Sequence, residues 1–163
     1  MLRRTLSLLL LGLACLVALG ASTAEAKKWE FGDINNPNLA SLTSSNFTST
    51  LSKGMWLVEF YSPYCKHCKK FAPVWQDLAE YEEHLADSHD FRFTRVNCIT
   101  QGDLCGEQQI PGFPSIFLWA DGVRFEEYEG ERDFDAMLAY VEARAADWRS
   151  YSAQKAEALS TGR

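Results

Sequence analysis

The stretch Met55-Trp-Leu-Val-Glu-Phe-Tyr-Ser-Pro-Tyr-Cys-Lys-His-Cys-Lys69 changes character in its middle. Up to Tyr61 it is a near-continuous apolar run bounded by Gly54 and Pro63, the pattern of a strand covered on both faces. From Cys65 the apolar period turns helical, with Cys68, Phe71, Trp75, Leu78, Tyr81 and Leu85 recurring every three or four residues. Pro73 falls inside that helix and should kink it. A buried strand that runs straight into an amphipathic helix, with two cysteines at the seam, points to an α/β domain whose chemistry sits at the junction.

Working outward, Leu39–Thr43 reads as a short strand, and Ser44 or Ser45 as the cap of a short helix carrying Phe47 and Leu51, with Gly54 as its stop. Beyond the long helix, Phe91–Asn97 alternates like a strand and Asp103–Gln108 suits a short helix. Ser115–Trp119 is a second buried run, Asp121-Gly122 is a hairpin signal, and Val123–Tyr128 should pair back. Phe134, Met137, Leu138, Val141 and Trp148 mark a last amphipathic helix that fades into a polar tail over Ser152–Arg163. The pattern describes one three-layer domain with a central mixed sheet flanked by helices, its parallel strands joined by right-handed crossovers. Residues 38–147 form that domain, and residues 148–163 a helical extension and tail.

Two cysteines separated by two residues at a helix start can close a disulfide across one turn. The first sulfur then meets unpaired backbone N–H groups and the positive end of the helix dipole, both of which favour a thiolate. His67 lies between the cysteines, and Lys66, Lys69 and Lys70 crowd the same turn, each adding positive potential. A stabilised thiolate favours the dithiol form, so the pair should donate a disulfide more readily than it reduces one. Cys65 is then the attacking nucleophile and Cys68 the resolving sulfur. Two other readings compete: half of a zinc site completed by His67, His84 or His89, and a purely structural disulfide. The zinc reading lacks a second cysteine pair of this spacing, and so short a loop gives a structural bond little to stabilise.

The segment Val58–Lys69 resembles the active-site stretch of the protein disulfide isomerases, and the likeness extends over roughly residues 37–147. It implies a thioredoxin-like fold and a thiol–disulfide oxidoreductase that needs no organic cofactor. Ile110-Pro-Gly-Phe-Pro-Ser115 is similar to the family loop whose proline is cis and faces the cysteine pair. Pro114 takes that position, which leaves the backbone of Phe113 to pair with a substrate chain. Glu59 matches the buried acid that exchanges a proton with the second cysteine, and Arg95 stands where a lysine pairs with that acid. A carboxylate in so apolar a run is costly unless paired or protonated, although a sheet-edge position would also admit it. Arg132 matches a mobile arginine that lowers the resolving cysteine's pKa; by sequence alone, both arginines read equally well as surface cations. Tyr64 replaces the usual tryptophan and keeps an aromatic platform for substrate, while Lys66 replaces a glycine and alters charge and partner choice. Cys98 and Cys105 resemble cysteines of several family members, as a second disulfide or as two buried thiols.

The termini suggest where such chemistry would operate. Arg3 and Arg4 precede an apolar run from Leu6 to Leu19 that ends in Ala24-Glu25-Ala26, the order of a signal peptide cleaved after Ala26, with a loose arm over residues 27–37. The run is shorter than a bilayer span requires, so no membrane anchor is expected after cleavage. Cys15 leaves with the leader, and the four remaining cysteines are too few to staple a domain without a packed core. The core has ample material, since 47% of the 163 residues are hydrophobic. A formal charge of −6 argues against non-specific nucleic-acid binding. Asn46-Phe47-Thr48 is an N-glycosylation sequon. The chain ends Ser160-Thr-Gly-Arg163 instead of a retention tetrapeptide, which leaves the endoplasmic reticulum lumen and secretion both open. The expected partners are folding proteins that carry cysteines, and an oxidase or glutathione that resets the pair. The contrasting expectation is a binding module that holds clients with little turnover.

Overall fold

In the computed structural model, which describes residues 39–161, the apolar run of the opening stretch is the central strand of a sheet. The signal peptide and arm expected over residues 1–37 lie outside the described residues. In chain order the elements are β1 (Ser41–Leu42), α1 (Phe47–Leu51), β2 (Met55–Tyr61), α2 (Lys66–Tyr81) and α3 (Leu85–Ser88). They continue with β3 (Phe91–Asn97), α4 (Gly102–Glu107), β4 (Ser115–Ala120), β5 (Val123–Glu127) and α5 (Phe134–Ser160). The strands form one sheet in the order β1-β3-β2-β4-β5. β3 runs parallel to β1 and β2, whereas β4 is antiparallel to β2 and β5, so the sheet is mixed as expected.

Side-chain alternation along β2 divides the core in two. Leu57 joins Phe71, Trp75 and Leu78 of α2, Phe91, Ile116, Leu118, and Met137 and Val141 of α5 on one face. Val58 and Phe60 join Phe47 and Leu51 of α1, Val96, Leu104, Phe117 and Trp119 on the other. The two covered faces explain why β2 reads as a continuous apolar run. They also turn Glu59, two residues after Leu57, toward α2. β2 enters through Gly54, whose φ of +79° suits glycine, and a Cβ there would lie 2.9 Å from the Asp90 carbonyl oxygen. The β4–β5 turn places Asp121 and Gly122 at φ 47° and 85°, the left-handed geometry that two-residue hairpins favour. In β5 the register slips once: Glu126 pairs with Leu118 and Arg124 with Trp119, leaving Phe125 as the extra residue of a bulge.

Several boundaries differ from the sequence reading. The first strand shrinks to Ser41–Leu42 because the chain turns at once: the Asn46 amide oxygen accepts from the Thr43 N–H at 2.7 Å. Asn46, not Ser44 or Ser45, is therefore the N-cap of α1, with its side chain turned back to Thr43. The long helix stops at Tyr81, before Leu85. Glu82 leaves helical geometry at ψ 15° with its carboxyl turned inward, and Leu85 reaches the same core from the separate turn α3. The tail expected over Ser152–Arg163 is instead helical to Ser160. Ala, Glu, Gln and Lys there are good helix formers, and Lys155 pairs with Asp121 at 2.7 Å. Among the described residues, no helix is long and apolar enough to cross a membrane.

Candidate active site

Cys65 is the N-cap of α2, in extended geometry at φ −74° and ψ 127°. The Ser62-Pro63 turn brings it there. The Cys65 N–H donates to the Ser62 carbonyl at 3.1 Å, and the Cys65 carbonyl accepts from the Lys69 N–H at 3.1 Å as the helix begins. The Cys65 thiol lies 3.5 Å from the carbonyl oxygen of Phe113, toward which it donates. The Phe113-Pro114 bond is cis, with Pro114 buried and Phe113 partly exposed, so the two loops meet at the sulfur as the family likeness implied. Tyr64 stands beside them, 77% exposed.

The two sulfurs differ sharply. The Cys65 pKa is lowered, chiefly by the backbone N–H of Cys68, then by the Cys68 thiol and the His67 N–H. The ammonium groups of Lys66, Lys69 and Lys70 are not among the groups acting on this sulfur. Their side chains are exposed, where water screens their charge. Cys68, one turn on and 3% exposed, is pushed up to about 12, first by desolvation. A Ser62 backbone group opposes the rise, while Cys65 and Glu59 add to it. Ser62 had not been singled out from the sequence; the signal was its place in the strand-to-helix turn.

Glu59 is buried in β2, and desolvation raises its pKa to about 8 against the opposing pull of Arg95. Arg95 is its register partner on β3, which explains the electrostatic link. The guanidinium does not form an ion pair with it among the described residues; its Nε donates to Ser41 Oγ at 3.3 Å and its plane lies 5.6 Å from the Tyr61 ring centroid. A cavity of about 30 Å³ bounded by Glu59, Tyr61, Ser62, Pro63, Cys68, Lys69 and Ala72 joins the carboxyl to the buried sulfur. That is room for one water molecule.

Arg132 stays apart. It is exposed in the loop before α5, lines a groove with His67, Lys70 and Pro114, and is not among the groups acting on Cys68. Cys98 and Cys105, left open between two states by the sequence, are bonded to each other with Cα atoms 5.8 Å apart. Their bridge ties the end of β3 to α4. Asn46 is exposed. Among the described residues, no group of three or more His, Cys, Asp and Glu is placed to hold a metal ion, so the zinc reading finds no ligand set there.

A family model described as thioredoxin matches residues 38–143. The chain belongs to the thioredoxin family. It is 36% identical over 107 residues to the ER-retained PMA1-suppressing protein 1 of Saccharomyces cerevisiae, covering 65% of this chain and 15% of that protein. It is 35% identical over 105 residues to the probable protein disulfide-isomerase ER-60 of Schistosoma mansoni, covering 64% of this chain and 21% of that protein. The chain thus spans a minor part of the length of these relatives. The solved structure of the first two thioredoxin domains of Saccharomyces cerevisiae Eps1p superposes with a TM-score of 0.63 at 36% identity, over 66% of this chain and 41% of that one. The family is one of thiol–disulfide oxidoreductases, and this chain carries one thioredoxin-like domain.

Proposed function

We propose that the domain oxidises thiols to disulfides, and reshuffles disulfides, in cysteine-bearing polypeptides of the endoplasmic reticulum lumen. The observation that carries this reading is the asymmetry of the pair: an accessible Cys65 of lowered pKa beside a buried Cys68 raised to about 12. Starting from the Cys65–Cys68 disulfide, a client thiolate attacks the Cys65 sulfur, a client–Cys65 bond forms, and Cys68 leaves as a thiolate. Glu59, protonated at neutral pH, gives that thiolate its proton through the small cavity. A second client thiolate then attacks the client sulfur of the mixed disulfide and releases Cys65. Two electrons and two protons pass from the client dithiol to the pair, and an oxidase or glutathione disulfide takes them away. Isomerisation uses the same first bond in reverse: reduced Cys65 attacks a client disulfide and is released by another client thiol.

Phe113, Tyr64 and the cis-Pro114 loop seat the client chain, with the Phe113 backbone beside the Cys65 sulfur. Arg132 would act on Cys68 by a swing of its loop. The lumenal placement rests on the leader read from the sequence and on a relative named as ER-retained. A glycan on exposed Asn46 would fit that route.

The deciding measurement is the reduction potential of the pair, by equilibration with glutathione buffers and tryptophan fluorescence. A value at or above about −210 mV is expected, and one below roughly −300 mV would make the bond a structural staple and overturn the reading. The exposed aromatic Tyr64 favours the second reading, a client holder with little turnover. Cys68→Ala separates them: turnover collapses for an enzyme, while capture by a holder persists.

A further inference from the structure

The first turns of α2 carry a concentration of cations that the rest of the fold does not explain. From Phe60 to Gln76 the chain holds the cations Lys66, Lys69 and Lys70, with His67 among them, and no acidic residue, in a protein whose formal charge is −6. All four side chains are exposed, and among the described residues none of them is in an ion pair. Folding stability does not account for them. Lys66 faces Lys69 and Lys70 at the spacings where like charges on a helix repel. Cations at a helix N-terminus also oppose the dipole, and this first turn holds no acid to compensate. Nor do they hold the Cys65 thiolate, which depends on backbone N–H groups and the Cys68 thiol.

What remains is a partner outside the chain. His67 and Lys70 line an open groove of about 450 Å³ that passes buried Pro114 and reaches Arg132. The Phe113 carbonyl, 3.5 Å from the Cys65 sulfur, fixes where a client cysteine must arrive. Residues flanking that cysteine would therefore pass over the groove and the lysines. Glu131 and Asp133 line the groove as well, but Asp133 Oδ1 is engaged in capping α5 through the Ala136 N–H at 2.9 Å.

We propose that this cationic collar selects polypeptide clients whose reacting cysteine has Asp or Glu immediately beside it. The inference rests on the oxidoreductase reading above and names its substrate class. The carboxylates pair with Lys66 and Lys70 during encounter and orient the client thiolate for attack on Cys65. The covalent step is unchanged: a client S–Cys65 bond forms, the Cys65–Cys68 bond breaks, and Cys68 takes up a proton.

The test uses the oxidised full-length protein in stopped flow with two-cysteine peptides that differ only in flanking Asp, Asn or Lys. The Asp peptide should react about tenfold faster than the Asn peptide at low ionic strength, and the Lys peptide more slowly. The advantage should shrink in 0.5 M salt, at which the screening length is only about 4–5 Å. It should also shrink in a Lys66→Gln/Lys70→Gln variant whose rate with the Asn peptide shows that its redox centre is intact. Equal rates for Asp and Asn peptides would overturn the collar and leave the redox reading standing. No reaction with any peptide would overturn both. Salt-independent selectivity would also overturn the electrostatic account.

Discussion

Cys65 and Cys68 lie one helical turn apart, yet one sulfur meets the backbone N–H groups of Cys68 and His67 while the other is buried and desolvated. Iodoacetamide should therefore modify the reduced protein at Cys65 with a midpoint below the ordinary thiol value of 9.0, and leave Cys68 unmodified until far higher pH. Mass spectrometry across a pH series checks this, and a shared midpoint would refute the asymmetry. Glu59 is the third member. Replacing it by Gln keeps its shape but removes the exchangeable proton, so formation of the mixed disulfide from the oxidised protein should slow on the order of a hundredfold near pH 7, as read by single-turnover kinetics. The pair and the acid were legible in the sequence because each breaks a local pattern: cysteines at a strand-to-helix seam, a carboxylate in an apolar strand. The source of the thiolate's stability was less legible. Lysines and a histidine are conspicuous in a string of letters, whereas the N–H groups of Cys68 and His67 belong to every residue and become donors only by their position.

At the scale of elements, period told helix from strand, and local hydrogen bonding decided where each ended. The turn at Thr43 and the departure at Glu82 were hidden because both depend on how a polar side chain folds back or inward. The bridge between Cys98 and Cys105 could not be read from a spacing of seven, since the thiols meet only when β3 hands over to α4. Opening so short a loop should cost about 2 kcal/mol of stability, measured by urea denaturation of the Cys98→Ala/Cys105→Ala protein. The glutathione-measured potential of the Cys65 pair should stay unchanged, because the bridge does not line the reacting site. Removing residues 152–163 should leave the fold within about 1 kcal/mol, because the side chains of that stretch are largely exposed and its Lys155–Asp121 pair is a surface one. A larger loss would mean that the last turns of α5 are part of the fold's support.

At the scale of the whole molecule, two carboxylates face inward among the described residues, and the pH profile should show them. Folded Glu59 stays protonated up to about pH 8, whereas in the unfolded chain it ionises near 4.5. Between those values unfolding releases a proton, so stability declines as pH rises; below them there is no penalty, and above them it is complete. Glu82, also raised by desolvation, adds in the same direction. Denaturation at pH 5 and pH 7 should show the decline, and Glu59→Gln should recover up to about 3 kcal/mol at pH 7 with little gain at pH 5. A flat profile would mean that Glu59 ionises freely in the fold.

The sheet's two borders bear on how such a domain would withstand the unfolded chains of the proposed function. Unfolded chains are rich in strands seeking a ladder to join, and an open sheet edge is an invitation to them. Among the described residues, one border is the two residues of β1, too short to template a newcomer, and the other is broken at Phe125, where the extra residue throws the donors and acceptors out of step. On the proposed oxidoreductase reading, the domain would meet clients at a sulfur without being recruited into their aggregates.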